Sequence, residues 1–121
     1  MTQNPKAHGI KRLWNAFHYS IQGFRTTYHS EEAFRQECWA AVILIPAGLI
    51  LSDSGIEAAL LIGSIVFVMI VELLNTGIEA VVDRVGFEQH ALSGRAKDAG
   101  SAAVLLSLFL AFMIWLLVLF F

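Results

Sequence analysis

The chain has 121 residues, 57% of them hydrophobic and only 15% charged, with a formal net charge of -2. Soluble domains run at roughly 45–50% apolar and about 25% charged, so a small water-soluble domain is excluded and one membrane domain remains. The net charge decides nothing, because the charges are unevenly distributed. The single cysteine, Cys38, excludes an intrachain disulfide and reads as packing at the start of an apolar segment.

The first element is a helix over about residues 8–29. Ile10, Leu13, Trp14, Phe17, Ile21, Phe24 and Tyr28 recur at spacings of three and four, one stripe of a 3.6-period helix. Lys11, Arg12, Asn15, His18, Gln22 and Arg25 occupy the other faces. A basic amphipathic helix with Trp and Phe on its apolar side reads as lying in the cytoplasmic membrane interface. His8, His18, His29 and His90 have no paired metal spacing and read as solvated or interfacial.

Three apolar segments follow, at about 34–51, 56–82 and 99–121. A span needs about 20 helical residues, which the second and third segments supply easily. The first must include part of Phe34–Cys38 to cross, and Pro46 inside it removes a helix hydrogen bond and predicts a kink. The first apolar run starts too late for a cleaved signal peptide. The expected fold is therefore all-α: an N-terminal amphipathic surface helix and three transmembrane helices.

Lys6, Lys11, Arg12, Arg25 and Arg35 precede the first span, and Arg84, Arg95 and Lys97 lie in the second connection. The first connection, Ser52–Gly55, and the C-terminal Leu119–Phe121 carry no basic residue. The positive-inside rule then places the N-terminus and second connection in the cytoplasm and the C-terminus on the opposite side.

The second span carries the costly residues. Glu72, Asn75, Thr76 and Glu79 fall at i, i+3, i+4 and i+7, with Asp83 at i+11, all on one face. Translocon scales put a charge at the helix centre at about 2.5–3.5 kcal/mol, so Glu72, too short to reach water, is read as functional. Glu72 and Glu79 are separated by about 10 Å along the axis. With Arg84 marking the cytoplasmic end, the stripe is a polar track: Asp83 at the surface, Glu79 just inside, Glu72 deeper. Glu31 and Glu37 flank the start of the first span on the same side.

The connection 83–98 holds Arg95 and Lys97, which could bind phosphate, and Ser93, which could cap the following helix. Carboxylates that hold Mg²⁺ through a nucleotide's phosphates, a Lys, and a deeper carboxylate able to take a proton are the parts of a phosphoryl-transfer site. Neither a Walker loop nor the protein-kinase motif set is present. Three helices cannot wall the stripe off from lipid, which predicts a homo-oligomer with sites at subunit boundaries. Ala99, Gly100, Ala102 and Ala103 would allow close helix approach there.

Four blocks together closely resemble the bacterial integral-membrane diacylglycerol kinase family: Glu31-Glu32-Ala33-Phe34-Arg35-Gln36-Glu37, the Glu72–Glu79 stripe, Ala80-Val81-Val82-Asp83-Arg84, and Leu92-Ser93-Gly94-Arg95-Ala96-Lys97-Asp98. The resemblance covers Glu31 to the C-terminus and, more loosely, the amphipathic helix. Glu32 departs from it, adding a charge where family members often have Ala. The resemblance implies a homotrimer in the bacterial inner membrane that transfers the ATP γ-phosphate to diacylglycerol, with Mg²⁺ as cofactor. It further implies Glu72 as general base, Asn75 as an active-site amide, and Glu31 and Glu79 as metal-binding carboxylates that also meet ATP. Arg12, Tyr19, Glu88, Gln89, His90, Lys97 and Asp98 match positions near the nucleotide. Ala33, Phe34, Arg35, Gln36, Glu37, Ser101 and Trp115 match positions near the lipid, which Glu72 also meets.

Other readings compete. A branch of the same family phosphorylates undecaprenol, although the Ser93–Ser101 run looks like the diacylglycerol branch. A small ion-coupled transporter or channel subunit would need Glu72 reachable from both sides, which the one-sided track disfavours. A non-catalytic assembly subunit accounts for the spans but not for Glu72 and Asn75.

Overall fold

The computed structural model describes residues 8–86 and 90–121. Four helices follow in order: α1 (Gly9–Ser30), α2 (Glu32–Leu51), α3 (Gly55–Val85) and α4 (Ala91–Phe120). Each of α2, α3 and α4 is long and apolar enough to cross a membrane. The helices outrun the apolar segments of the sequence: α3 continues past Val82 to Val85, and α4 starts at Ala91 rather than Ala99. Hydropathy marks what can sit in lipid, whereas capping and turn chemistry decide where a helix ends. Pro46 lies inside α2, which continues through it.

Local chemistry accounts for each join. Between α1 and α2, Glu31 alone is extended, and its N–H still bonds to Thr27 O at 2.8 Å. Arg35 Nη1 then donates to the carbonyls of Tyr28 and His29, both at 2.9 Å, satisfying the acceptors that the end of α1 leaves open. At the start of α3, Ser54 Oγ accepts from Glu57 N–H at 3.1 Å while Glu57 Oε1 accepts from Asp53 N–H at 3.0 Å. This is a capping box shifted by one residue. At the start of α4 the cap is not Ser93, as the sequence suggested, but His90, whose Nδ1 accepts from Leu92 N–H at 3.1 Å. Ser93 sits inside the first turn.

α3 is the central helix, packed most extensively on α4 and then on α2, while α1 touches α2 and α3 only lightly. The packed seam is thin. Phe34 and Leu61 are the largest fully buried side chains, joined by Ala41, Val68 and Ala111. Lipid tails are as apolar as Leu, so these helices are held by close van der Waals packing rather than by hydrophobic expulsion. The buried hydroxyls do not oppose this: Ser64 Oγ donates to Leu61 O and Ser107 Oγ to Val104 O, each at 2.8 Å within its own helix.

The accessible surface is 9085 Å². A compact soluble protein of this mass would expose about 6,500 Å². Large apolar side chains contribute to it: Ile50, Leu105, Leu106, Phe109 and Phe112 on the apolar helices, and Ile10, Leu13, Trp14 and Phe17 on α1, all stand exposed. Among the described residues, the Ile10–Phe17 part of the α1 stripe thus stands uncovered.

Candidate functional site

One face of α3 organises the molecule. Leu61, Ser64, Val68 and Glu72 are its buried residues, spaced by three, four and four. The same face continues through Asn75, Thr76, Glu79 and Asp83, all partly buried. It changes from apolar to polar at Glu72, which is only 7% exposed. Thr76 Oγ1 is satisfied by Glu72 O at 2.9 Å. Asn75 Nδ2 donates to Glu79 Oε1 at 3.2 Å, one helical turn on. Asn75 Oδ1 is buried without a hydrogen-bond partner.

Two other helices complete this face. From α2, Glu37 brings its carboxyl group into interacting range of Glu72, while its Oε1 stays buried and unpartnered. From α4, Lys97 Nζ pairs with Asp83 Oδ1 at 2.8 Å, both side chains nearly half exposed. Gly100 packs so closely on α3 that a Cβ there would overlap Asn75 Oδ1. Gly100, one of the small residues that allow close helix approach, makes such an approach to α3 of its own chain. Ala99, Ala102 and Ala103 remain exposed. The result is a polar seam where α2 and α4 meet this face of α3, from the Glu37–Glu72 carboxyl pair to the Asp83–Lys97 ion pair at the end of α3.

The remaining sequence-derived residues distribute unevenly around this seam. Glu31 sits at the α1/α2 join, partly buried. Arg35 is engaged with the end of α1, and Phe34 is packed inside the chain at 1% exposure. Ala33 and Gln36 are exposed, as are Asp98 and Ser101 on α4 and Arg12 on α1. Tyr19 lines a separate cleft between α1 and α3, with Leu73, Thr76, Gly77 and Ala80 opposite. His90 caps α4. Glu88 and Gln89 lie outside the described residues. Trp115 lies far along α4, with its Nε1 bonded to Leu61 O and Ser64 Oγ.

The donor chemistry suits a hard cation bound through phosphates. Among the described residues no three His, Cys, Asp or Glu side chains converge on one point, so no all-protein cage is present. Mg²⁺ does not need one: it is usually held by one or two carboxylates plus substrate phosphates and waters. Glu79 and Glu31 are oxygen donors of that type, both partly buried.

Three relationships were not read from the sequence. The Glu37–Glu72 approach joins different helices, and no spacing rule connects them. The Asp83–Lys97 pair likewise crosses a connection. Ser64, by contrast, was within reach: stepping the Glu72 stripe back by four and four again arrives at Val68 and Ser64.

Comparison with known proteins identifies the family. The family model described as "Prokaryotic diacylglycerol kinase" matches residues 18–119. The chain is 47% identical over 116 residues to a diacylglycerol kinase of Haemophilus influenzae, covering 96% of this chain and 98% of the relative. It is 48% identical over 111 residues to the diacylglycerol kinase of Escherichia coli K12, covering 92% of this chain and 91% of the relative. A diacylglycerol kinase of Pseudomonas aeruginosa is 47% identical over 107 residues, covering 88% of this chain and 87% of the relative. The matched region takes in all three apolar helices and the whole carboxyl-bearing face of α3, and on that footing the chain belongs to the prokaryotic diacylglycerol kinase family.

Proposed function

We infer that this chain is an ATP-dependent diacylglycerol kinase that transfers the γ-phosphoryl group to the hydroxyl of diacylglycerol, giving phosphatidic acid and ADP. The observation that carries the reading is the placement of Glu72. It is buried at 7% exposure, faces Glu37, and stands at the deep end of a track that reaches Asp83 and Lys97. A proton acceptor at that depth is of use to a lipid alcohol and out of reach of a soluble one.

The diacylglycerol hydroxyl donates its hydrogen bond to Glu72, and Glu72 takes the proton as the oxygen attacks the γ-phosphorus. General-base assistance of this kind is worth about 10²–10⁴-fold in rate. Glu37 Oε1, buried without a donor, is positioned to orient the polar end of the lipid. Arg35, Ser101 and the exposed Ala33 and Gln36 belong to the lipid-facing side of the same region. Glu31 and Glu79 would hold Mg²⁺, which would supply neutralisation of charge on the nucleotide phosphates. Asn75 holds Glu79 in place through its 3.2 Å hydrogen bond. Lys97 and Asp98 meet the phosphates from α4, with Arg12, Tyr19, Glu88, Gln89 and His90 around the nucleotide.

The protein works as a homotrimer in the inner membrane, its N-terminus and the α3–α4 connection in the cytoplasm and its C-terminus in the periplasm. The exposed apolar faces of the spans support assembly and lipid contact, and the uncovered stripe of α1 supports a position at the membrane surface. The test is full-length protein in mixed micelles with Mg²⁺, labelled ATP and either diacylglycerol or undecaprenol. Label in phosphatidic acid is the expected result. Label in undecaprenyl phosphate would move the protein to the other branch, and label in neither lipid would overturn the reading.

A further inference from the structure

A cavity of about 300 Å³, open along one side, runs between α2, α3 and α4. Glu37 is its one charged wall, and Leu44, Val68, Met69 and Phe112 line its length, with Trp115 among its walls. The Glu37 end adjoins Glu72. Trp115 is anchored at the level of Leu61, about 16 Å from Glu72 along the axis of α3. The cavity therefore begins where the lipid hydroxyl reacts and proceeds along the span with apolar walls. That is the shape and chemistry of an acyl chain attached to that hydroxyl's glycerol.

The Trp115 indole is held from two sides. Its Nε1–H donates to Leu61 O at 3.1 Å and to Ser64 Oγ at 3.0 Å. Ser64 spends its own proton on Leu61 O, so its oxygen faces the indole as an acceptor. On the opposite side α2 comes close at Gly48, where a Cβ would lie 3.3 Å from Leu61 Cβ and 3.8 Å from Trp115 Cη2. A buried indole N–H needs a partner, and a partner on a rigid helix fixes the ring plane.

Resting on the kinase reading above, we propose that Ser64, with Gly48 behind it, sets the acyl-chain selectivity of this enzyme by locking the Trp115 indole as the end wall of the cavity. Ser64 and Gly48 are positioning residues; the wall that meets the chain is Trp115. A chain that fits ends against the ring. A longer one must leave the cavity for the bilayer and loses those contacts. Removing the Ser64 oxygen leaves the indole one anchor, Leu61 O, and lets it swing.

The experiment measures kcat/KM of the full-length enzyme in mixed micelles for a graded series of saturated diacylglycerols, from hexanoyl to stearoyl chains. Hydrophobic pockets discriminate a single methylene by roughly tenfold or more, so Ser64→Ala is expected to move the long-to-short ratio by about tenfold. The KM for ATP stays unchanged. Ser64→Thr, which keeps the acceptor, retains the wild-type profile. Trp115→Phe, which keeps a ring but has no N–H, shifts the profile in the same direction as Ser64→Ala and gives an independent reading should that variant not fold. Unchanged profiles in active Ser64→Ala or Trp115→Phe would overturn the proposal while leaving the kinase reading intact. Absence of phosphatidic acid from the wild-type protein would instead overturn the kinase reading.

Discussion

Gly100 on α4 lies directly against the side-chain amide of Asn75 on α3, so that a methyl group at position 100 would overlap Asn75 Oδ1. The same amide donates to Glu79. A backbone position on one helix therefore governs the orientation of a carboxylate on another. Gly100→Ala must push Asn75 aside or part the helices, and overpacking of this kind costs about 1–3 kcal/mol. The expected outcome is a loss of activity with a raised Mg²⁺ requirement, read from initial rates across a Mg²⁺ titration. Wild-type rates and metal dependence would mean that the amide is not held by this contact.

Glu72→Gln preserves the shape of the buried side chain and removes its ability to take a proton. Turnover should fall by about 10²–10⁴-fold. Nucleotide affinity and assembly should be little changed, as judged by equilibrium ATP binding and gel filtration. Near-normal turnover would remove Glu72 from the role of base.

Glu79→Gln separates charge from geometry. The glutamine still offers an oxygen to Asn75 Nδ2, so the local hydrogen bond survives. What is lost is one negative charge toward the cation. The apparent Mg²⁺ concentration for half-maximal rate should rise several-fold, and an unchanged value would count against a ligand role.

The pair Lys97–Asp83 ties the end of α3 to the start of α4 at 2.8 Å. Exposed pairs of this kind add little to stability, so the interest lies in what else Lys97 touches. Exchanging the two charges, Asp83→Lys with Lys97→Asp, restores the tie but moves the cation. Thermal stability in detergent should match the wild type while the KM for ATP rises. Recovery of ATP affinity in the exchanged protein would reduce Lys97 to a structural partner.

Much of this molecule is readable from its residues in order, because the relevant physics is local or periodic. Length and hydropathy identify α2, α3 and α4 as able to cross a membrane. The 3.6-residue period places Glu72, Asn75 and Glu79 on one face, and the hydrogen bond from Asn75 to Glu79 follows from their i, i+4 spacing. The cap of α4 was misplaced because Ser93 and His90 can both cap, and only the backbone path selects His90.

The rest needed three dimensions. That α2 sets Glu37 against Glu72, that Gly100 rather than a neighbouring alanine takes the close contact, and that Trp115 reaches back to Ser64 depend on how three helices are rotated and offset. Each helix carries several faces of similar hydropathy, and lipid does not choose among them. The choice is made by which faces pack at van der Waals distance, a property of the assembled helices and not of any one segment. The sequence by itself thus determined three helices able to cross a membrane, the polar face of α3 and the order of residues along it; only the tertiary structure decided which side chains on the other helices that face would meet.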